Sequence, residues 1–436
     1  MSNAPSTIRV AILGGGVAGI ALLRGLLRYP HIAADIYEPR PTFKESGLGL
    51  VLVQGIEDIL RAIDPALDRC LDSAGAVDSV TEVRLATGPD AGKKINTEGF
   101  WASTQRTVGQ QAFLDELLKG LPPRMVHTNT RPASITELPH SEGVELAFAD
   151  GSQKKYDVVI GADGIHGITR KHVLGADDPA LEPQHARVWG LPIKIPLSKA
   201  QEAMGEEYID PETPTQVVWV GDGNMMQHHL QDGGKEVHIS TYIRRDDDDD
   251  DNDSAHDNTW ARLFSPGEFS GAFAKNELQV CRGMVDLIQD IYTFQLPGLS
   301  QMQHRPARTY ATQRAALVGD AAHAMHPSPG TALGLEEALV LSAVLGRAAS
   351  REAVPAALLA FDRVCRPRAE RGLRHSAECG LLLTGRKPGV GLDPGLIARH
   401  LGGTWDFLLD ASAEALRAAA ADAMDRILDD EGGGRY

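Results

Sequence analysis

A short apolar run, Ile8 to Leu13, passes directly into Gly14-Gly15-Gly16-Val17-Ala18-Gly19, and no other stretch of the 436-residue chain limits the fold so tightly. The run reads as a parallel strand covered on both faces. Beyond the glycines, Ile20, Leu23 and Leu27, with Leu22 and Leu26, recur at helical spacing up to Tyr29, the residue before Pro30, where proline disfavours helix. A second strand closes on Glu38, nineteen residues after Gly19. This is a βαβ unit with a G-x-G-x-x-G turn. Gly14 permits the tight turn, Gly16 lets the backbone approach a pyrophosphate, and Gly19 lets helix pack on strand. The helix N-terminus faces the phosphates, and Glu38 sits where an acid takes ribose hydroxyls.

A chain of this length holds two or three compact units. Tyr156–Ile160 and Ala315–Val318 read as further buried strands, Gly55–Ile63 and Gln110–Leu118 as helices, and the chain is mostly helical from Leu333 onward. Between about Leu181 and Ser300, Val217–Val220 and Val237–Ile243 read as strands. The second alternates Val237, Ile239, Thr241 and Ile243 with His238, Ser240 and Tyr242, which predicts a separate antiparallel sheet. The run Arg244–Asp253 (RRDDDDDDND) reads as a solvated loop tip. Forty-three basic against fifty-nine acidic residues give a net charge of −16, which argues against nucleic acid or an anionic membrane as partner. The N-terminus enters a strand without a signal-peptide pattern, so a cytoplasmic location is expected. Cys70, Cys281, Cys365 and Cys379 have no CxxC spacing and read as reduced thiols, with no metal site expected.

Two more motifs place an acid just past a strand: Gly161-Ala162-Asp163-Gly164, and Gly319-Asp320-Ala321-Ala322-His323 about 150 residues later. With these three motifs in this order, the chain resembles the FAD-dependent aromatic-ring hydroxylases, in their salicylate-hydroxylase-like branch. The resemblance covers most of the chain. It implies an α/β fold: a Rossmann-like FAD-binding domain in three parts (1–75, 103–180, 304–350), an inserted antiparallel-sheet substrate domain (76–102, 181–303) and C-terminal helices (351–436). It implies FAD contacts from Gly14, Gly16, Gly19, Glu38, Arg40 and Gly49, and from Gln110, Asp163, Asp320, Gly330, Ala332 and Leu333. Asp320 would bond the ribityl chain, and Asp163, with Arg170, would serve the flavin and the approach of NADPH or NADH as transient co-substrate. The reaction implied is hydroxylation of a phenolic or aromatic-carboxylate molecule by dioxygen added to reduced flavin at C4a, in a monomer or homodimer. A helix at Gly330–Leu345 would aim its N-terminus at the flavin N1/C2 edge.

The sequence departs from that pattern after the histidine motif. Pro327–Ala338 is two residues shorter than usual, in the loop expected beneath the isoalloxazine ring. Gln110 stands where arginine is common, with Arg106 nearby to compensate, and Gly167 replaces a usual serine. Candidates for the base that deprotonates a phenol are His228, His229 and Tyr242, with His238 beside them; His228 and His229 must point to opposite faces of a strand. Trp189 and Trp219 are candidates for an aromatic wall. The shortened loop keeps open a redox-neutral flavoenzyme, and the acidic tip a non-catalytic flavin-binding interaction protein. A nicotinamide dehydrogenase gives Asp320 no role.

Overall fold

The computed structural model describes residues 7–44, 49–139, 142–245, 260–327 and 329–433. The acidic run from Asp246 onward lies outside them. A five-stranded sheet, parallel throughout, runs Ala315–Leu317, Val158–Gly161, Ile8–Leu13, Ile32–Tyr37, Val126–His127. Strand alternation splits its two faces. Ile8, Val10 and Ile12 enter the main core with the helices Val17–Leu26 and Gly330–Arg347. Ala11, Leu13 and Tyr37 pack instead on a three-stranded antiparallel sheet, Pro132–Glu137, Val144–Phe148 and Gln153–Tyr156. All three motif turns therefore follow the carboxyl ends of adjacent parallel strands, where ligands of such sheets bind.

The second sheet has ten strands and is antiparallel except where Thr215–Val220 runs parallel to Val77–Leu85. It reaches beyond the segments 76–102 and 181–303: Gly49–Leu52 and Thr104–Gly109 form its far edge, because Thr104–Gly109 pairs with Val77–Leu85 and then with Gly49–Leu52. One face carries Trp219, Met226, Val237 and Ile239 into a second core beneath the helices Leu197–Met204 and Gln279–Ile291. The other face, from Thr81, Gln216, Gln227, Ser240 and Tyr242, looks toward the nucleotide-binding half. Helices Val354–Leu383 and Ala413–Gly433 pack on each other and on Gly330–Arg347. All four cysteines are free and buried. Among the described residues no helix is long and apolar enough to cross a membrane.

Candidate active site

A channel of about 490 Å³ crosses the ends of the parallel strands. Gly14 turns there with φ +106°, a left-handed value that suits glycine, and a β-carbon at this position would stand 2.1 Å from the Ala162 carbonyl oxygen. The floor is thus bare backbone, opening on the first turn of helix Val17–Leu26, which no side chain caps. At one end Glu38 is 3% exposed. Its Oε2 accepts from the Gly15 amide at 3.0 Å, and its Oε1 from the Arg40 amide at 3.0 Å and Arg40 Nε at 2.7 Å. Burial opposes its charge, but these bonds outweigh burial and hold its pKa below the ordinary value.

Asp163 and Asp320 face the same channel. Burial raises the pKa of Asp163, whereas the Asp320 side chain is exposed in the channel. Asp163 Oδ2 accepts from the Thr169 amide at 3.0 Å and Thr169 Oγ1 at 2.8 Å, so it caps the helix Ile168–Leu174; its Oδ1 is buried without a partner. A β-carbon at Gly167 would lie 2.1 Å from the Asp163 carboxyl, so glycine replaces serine where Asp163 itself supplies the cap. Arg170 donates to the Ala180, Ala321 and Ala322 carbonyls, knotting two motifs together, and burial lowers its pKa to about 10. His323 Nε2 lies 2.8 Å from Glu337 Oε1, while Glu337 Oε2 accepts from the Gly319 amide at 2.7 Å. The Asp320 turn is thereby fixed to helix Gly330–Arg347. A bare glycine floor, a helix N-terminus, a ribose-side carboxylate and two channel-facing acids fit FAD.

A second cavity of about 240 Å³ lies between the large sheet and the C-terminal helices. Thr331 is the described residue on both walls, so the channel and this cavity adjoin at the start of helix Gly330–Arg347. The sheet supplies polar groups, and the remaining wall includes Phe100, Trp101, Leu383 and Trp405. His238 Nδ1 accepts from the Gly49 amide at 3.2 Å, which places its ring proton on Nε2, 2.7 Å from Ser240 Oγ. Tyr242 Oη accepts from Gln227 Nε2 at 3.4 Å and also bonds Ser240; its ring stands 4.7 Å from His326. Burial raises the Tyr242 pKa and pushes His238 and His326 down to about 4, so all three are neutral near pH 7.

Gly14, Gly16, Glu38, Arg40, Gln110, Asp163, Asp320 and Gly330 line the channel, whereas Gly49 and Tyr242 line the second cavity. The structure does not bring the others to either wall. Gly19 lies where a β-carbon would come within 2.2 Å of the Gly14 carbonyl, so its place is helix packing. Ala332 and Leu333 are buried within their helix. His228 faces the second core, stacked near Trp219, and burial lowers its pKa to about 4. His229 shares the cavity's face but lies beneath Gly49, stacked on His238 at 4.9 Å. Arg106 does not stand in beside Gln110. Strand alternation turns it the other way from Gln105, onto Glu57, Asp72 and Asp78. Trp219 is core and Trp189 packs on His185; the tryptophans of the cavity are Trp101 and Trp405. Sequence reasoning missed these two, along with Gln105 and Thr331. The one signal for them was the strand parity that puts Gln105 opposite Arg106.

Comparison with known proteins agrees with this architecture. Residues 275–376 match the FAD binding domain family. The 6-methylsalicylate 1-monooxygenase of Aspergillus terreus is 30% identical over 82% of this chain and 79% of its own length. A salicylate hydroxylase of Pseudomonas putida is 28% identical over 100% of this chain and 99% of its own. Among solved structures, a salicylate hydroxylase–substrate complex superposes with a TM-score of 0.80 at 25% identity, over 96% of this chain and 98% of that one. Motifs, channel and relatives converge: the chain belongs to the family of FAD-dependent aromatic hydroxylases, the flavoprotein monooxygenases.

Proposed function

We propose that this enzyme hydroxylates a single-ring phenolic molecule, with NADPH or NADH as reductant and dioxygen as oxidant. The observation that carries this is the junction at Thr331, where a channel suited to FAD meets a cavity suited to one aromatic ring. An engineered apolar cavity of ~150 Å³ takes benzene, so about 240 Å³ accommodates a substituted ring. Relatives named for salicylate and 6-methylsalicylate agree with a ring of this size.

When bound, FAD supplies hydride acceptance and oxygen activation. The protein's part is positional. Glu38 and the Gly14–Val17 turn would hold the adenosine and pyrophosphate end, Asp163 and Asp320 would bond the middle, and the N-terminus of helix Gly330–Arg347 would favour negative charge at the reactive end. Phe100, Trp101 and Trp405 exclude water from the ring. Burial keeps the Tyr242 proton on Oη against the bonds from Gln227 and Ser240, which favour the phenolate, and that O–H donates a hydrogen bond to the oxygen of the substrate. His238, with its Nδ1 lone pair taken by the Gly49 amide and its Nε2 proton turned to Ser240, braces this arrangement and has no free lone pair to act as the base.

The test is NAD(P)H oxidation by FAD-loaded protein with a panel of phenols, with ring-hydroxylated product and peroxide measured together. Substrate-stimulated oxidation yielding hydroxylated product is expected. Oxidation yielding only peroxide with every compound would refute the reading.

A further inference from the structure

Every described residue on the wall of the second cavity is uncharged: no lysine, arginine, aspartate or glutamate is among them. Polarity comes instead from Thr81, Ser240, Tyr242, Thr331, four glutamines, Gln105, Gln216, Gln227 and Gln301, and the rings of His238 and His326, whose pKa burial lowers to about 4 so that both are neutral near pH 7. Two of these define what the site asks of a ligand. Gln105 is 1% exposed and its Nε2 donates to the Phe100 carbonyl at 3.0 Å, which fixes the amide and leaves Oε1 as a buried acceptor with no partner. Tyr242 Oη already accepts bonds from its neighbours and has its own hydrogen to give. Arg244, two residues beyond Tyr242 on the same strand face, turns to the Ala186 carbonyl at 3.4 Å and is not on the wall. An anion in this cavity gives up its hydration and gains no opposite charge, whereas a neutral ring bearing both a donor and an acceptor satisfies Gln105 and Tyr242.

We propose that the cavity selects an uncharged aromatic ring, a phenol or aromatic amide whose O–H or N–H is donated to Gln105 Oε1 and whose oxygen accepts from Tyr242 Oη, and that it discriminates against aromatic carboxylates. This rests on the reading above that the cavity holds the ring to be hydroxylated. It adds that the ring is recognised by amide and hydroxyl groups, without an ion pair. An unpaired buried acceptor is costly unless a ligand donor meets it, so the preference is written into the wall itself.

Salicylamide and salicylate differ at one group, a carboxamide against a carboxylate, and serve as the probes. Calorimetric titration of the FAD-loaded protein at about pH 7 reads their binding without turnover, so a failure of hydroxylation leaves the comparison intact. The expected result is salicylamide binding at least ~10-fold tighter. Gln105→Met is expected to weaken salicylamide by about tenfold and to leave salicylate unchanged. Gln227→Lys, which adds a cation to the wall, is expected to reverse the order. Equal or tighter binding of salicylate by the wild-type protein, or heat from neither ligand, would overturn the proposal. So would loss of salicylate binding in Arg244→Gln, because the carboxylate would then be reaching that guanidinium.

Discussion

Replacing Gly14 by alanine tests the physical reason for the glycine turn. The residue sits at φ +106°, and its new β-carbon would stand 2.1 Å from the Ala162 carbonyl oxygen, 2.5 Å from the carbonyl carbon and 2.8 Å from Asp163 Cα. These are backbone atoms just past the end of the strand Val158–Gly161 and have no rotamer to escape into. The left-handed backbone costs ~1–3 kcal/mol for a non-glycine residue, and overpacking a tight contact adds ~1–3 kcal/mol. Together about 2–6 kcal/mol must be absorbed by the fold or by FAD affinity, equivalent to roughly 30-fold to 10⁴-fold in Kd if it falls wholly on binding. Gly15→Ala is the control. There the β-carbon would meet the ring of Phe43 at 2.2 Å, a half-buried side chain that can swing away. FAD titration of the deflavinated proteins by fluorescence, with thermal melts of the same samples, measures both shares. Gly14→Ala should lose FAD affinity, melting temperature or both, and Gly15→Ala should lose at most about tenfold in Kd. Equal damage from the two, or a Gly14→Ala protein indistinguishable from wild type, would refute the steric argument.

Three further outcomes are expected. Burial raises the Asp163 pKa and its Oδ1 is buried without a partner, so its contribution to apo-protein stability is present at low pH and lost as pH rises from the ordinary carboxylate range through the raised folded value. Asp163→Asn, which keeps an oxygen for the Thr169 amide and hydroxyl, should therefore raise the apo-protein melting temperature at neutral pH while weakening FAD; a lower melting temperature would contradict this. His228, held neutral with its pKa lowered from 6.5 to about 4, stabilises the fold above pH 6.5 and ceases to as pH falls toward 4. His228→Phe should flatten that acid loss in thermal melts and leave the pH profile of kcat unchanged, whereas a catalytic His228 would abolish turnover. Arg368 pairs with the buried Glu336 at 2.9 Å; Arg368→Met should cost ~3–5 kcal/mol in denaturant unfolding by stranding that carboxylate, and adding Glu336→Leu should recover most of it.

The two halves of the site differed in how far the sequence disclosed them, for physical reasons. The nucleotide end rests on one contiguous unit, Gly14 to Glu38, and on two strand-end acids, each beside its own strand signal. Local pattern is enough for such a site. The ring cavity draws on Thr81, Gln105, Gln216, Tyr242, Gln301 and Trp405, more than three hundred residues of sequence brought together by sheet pairing. A glutamine alternating along a strand looks like any solvent-facing position until the partner surface is known. The histidines show the same limit. Parity separated His228 from His229, but the core beneath Trp219 claimed one, and the strand at Gly49 covered the other. The shortened Pro327–Ala338 segment still starts its helix at Gly330, with Thr331 at the junction of both spaces.

The central claim, that a phenolic ring beside Thr331 is hydroxylated at the expense of NAD(P)H, is tested most directly by running the FAD-loaded enzyme under isotopically labelled dioxygen. The account predicts one labelled oxygen atom in the ring of the product for each NAD(P)H consumed. NAD(P)H consumption with peroxide as the sole oxygen product, or a hydroxylated ring carrying oxygen from water, would contradict it.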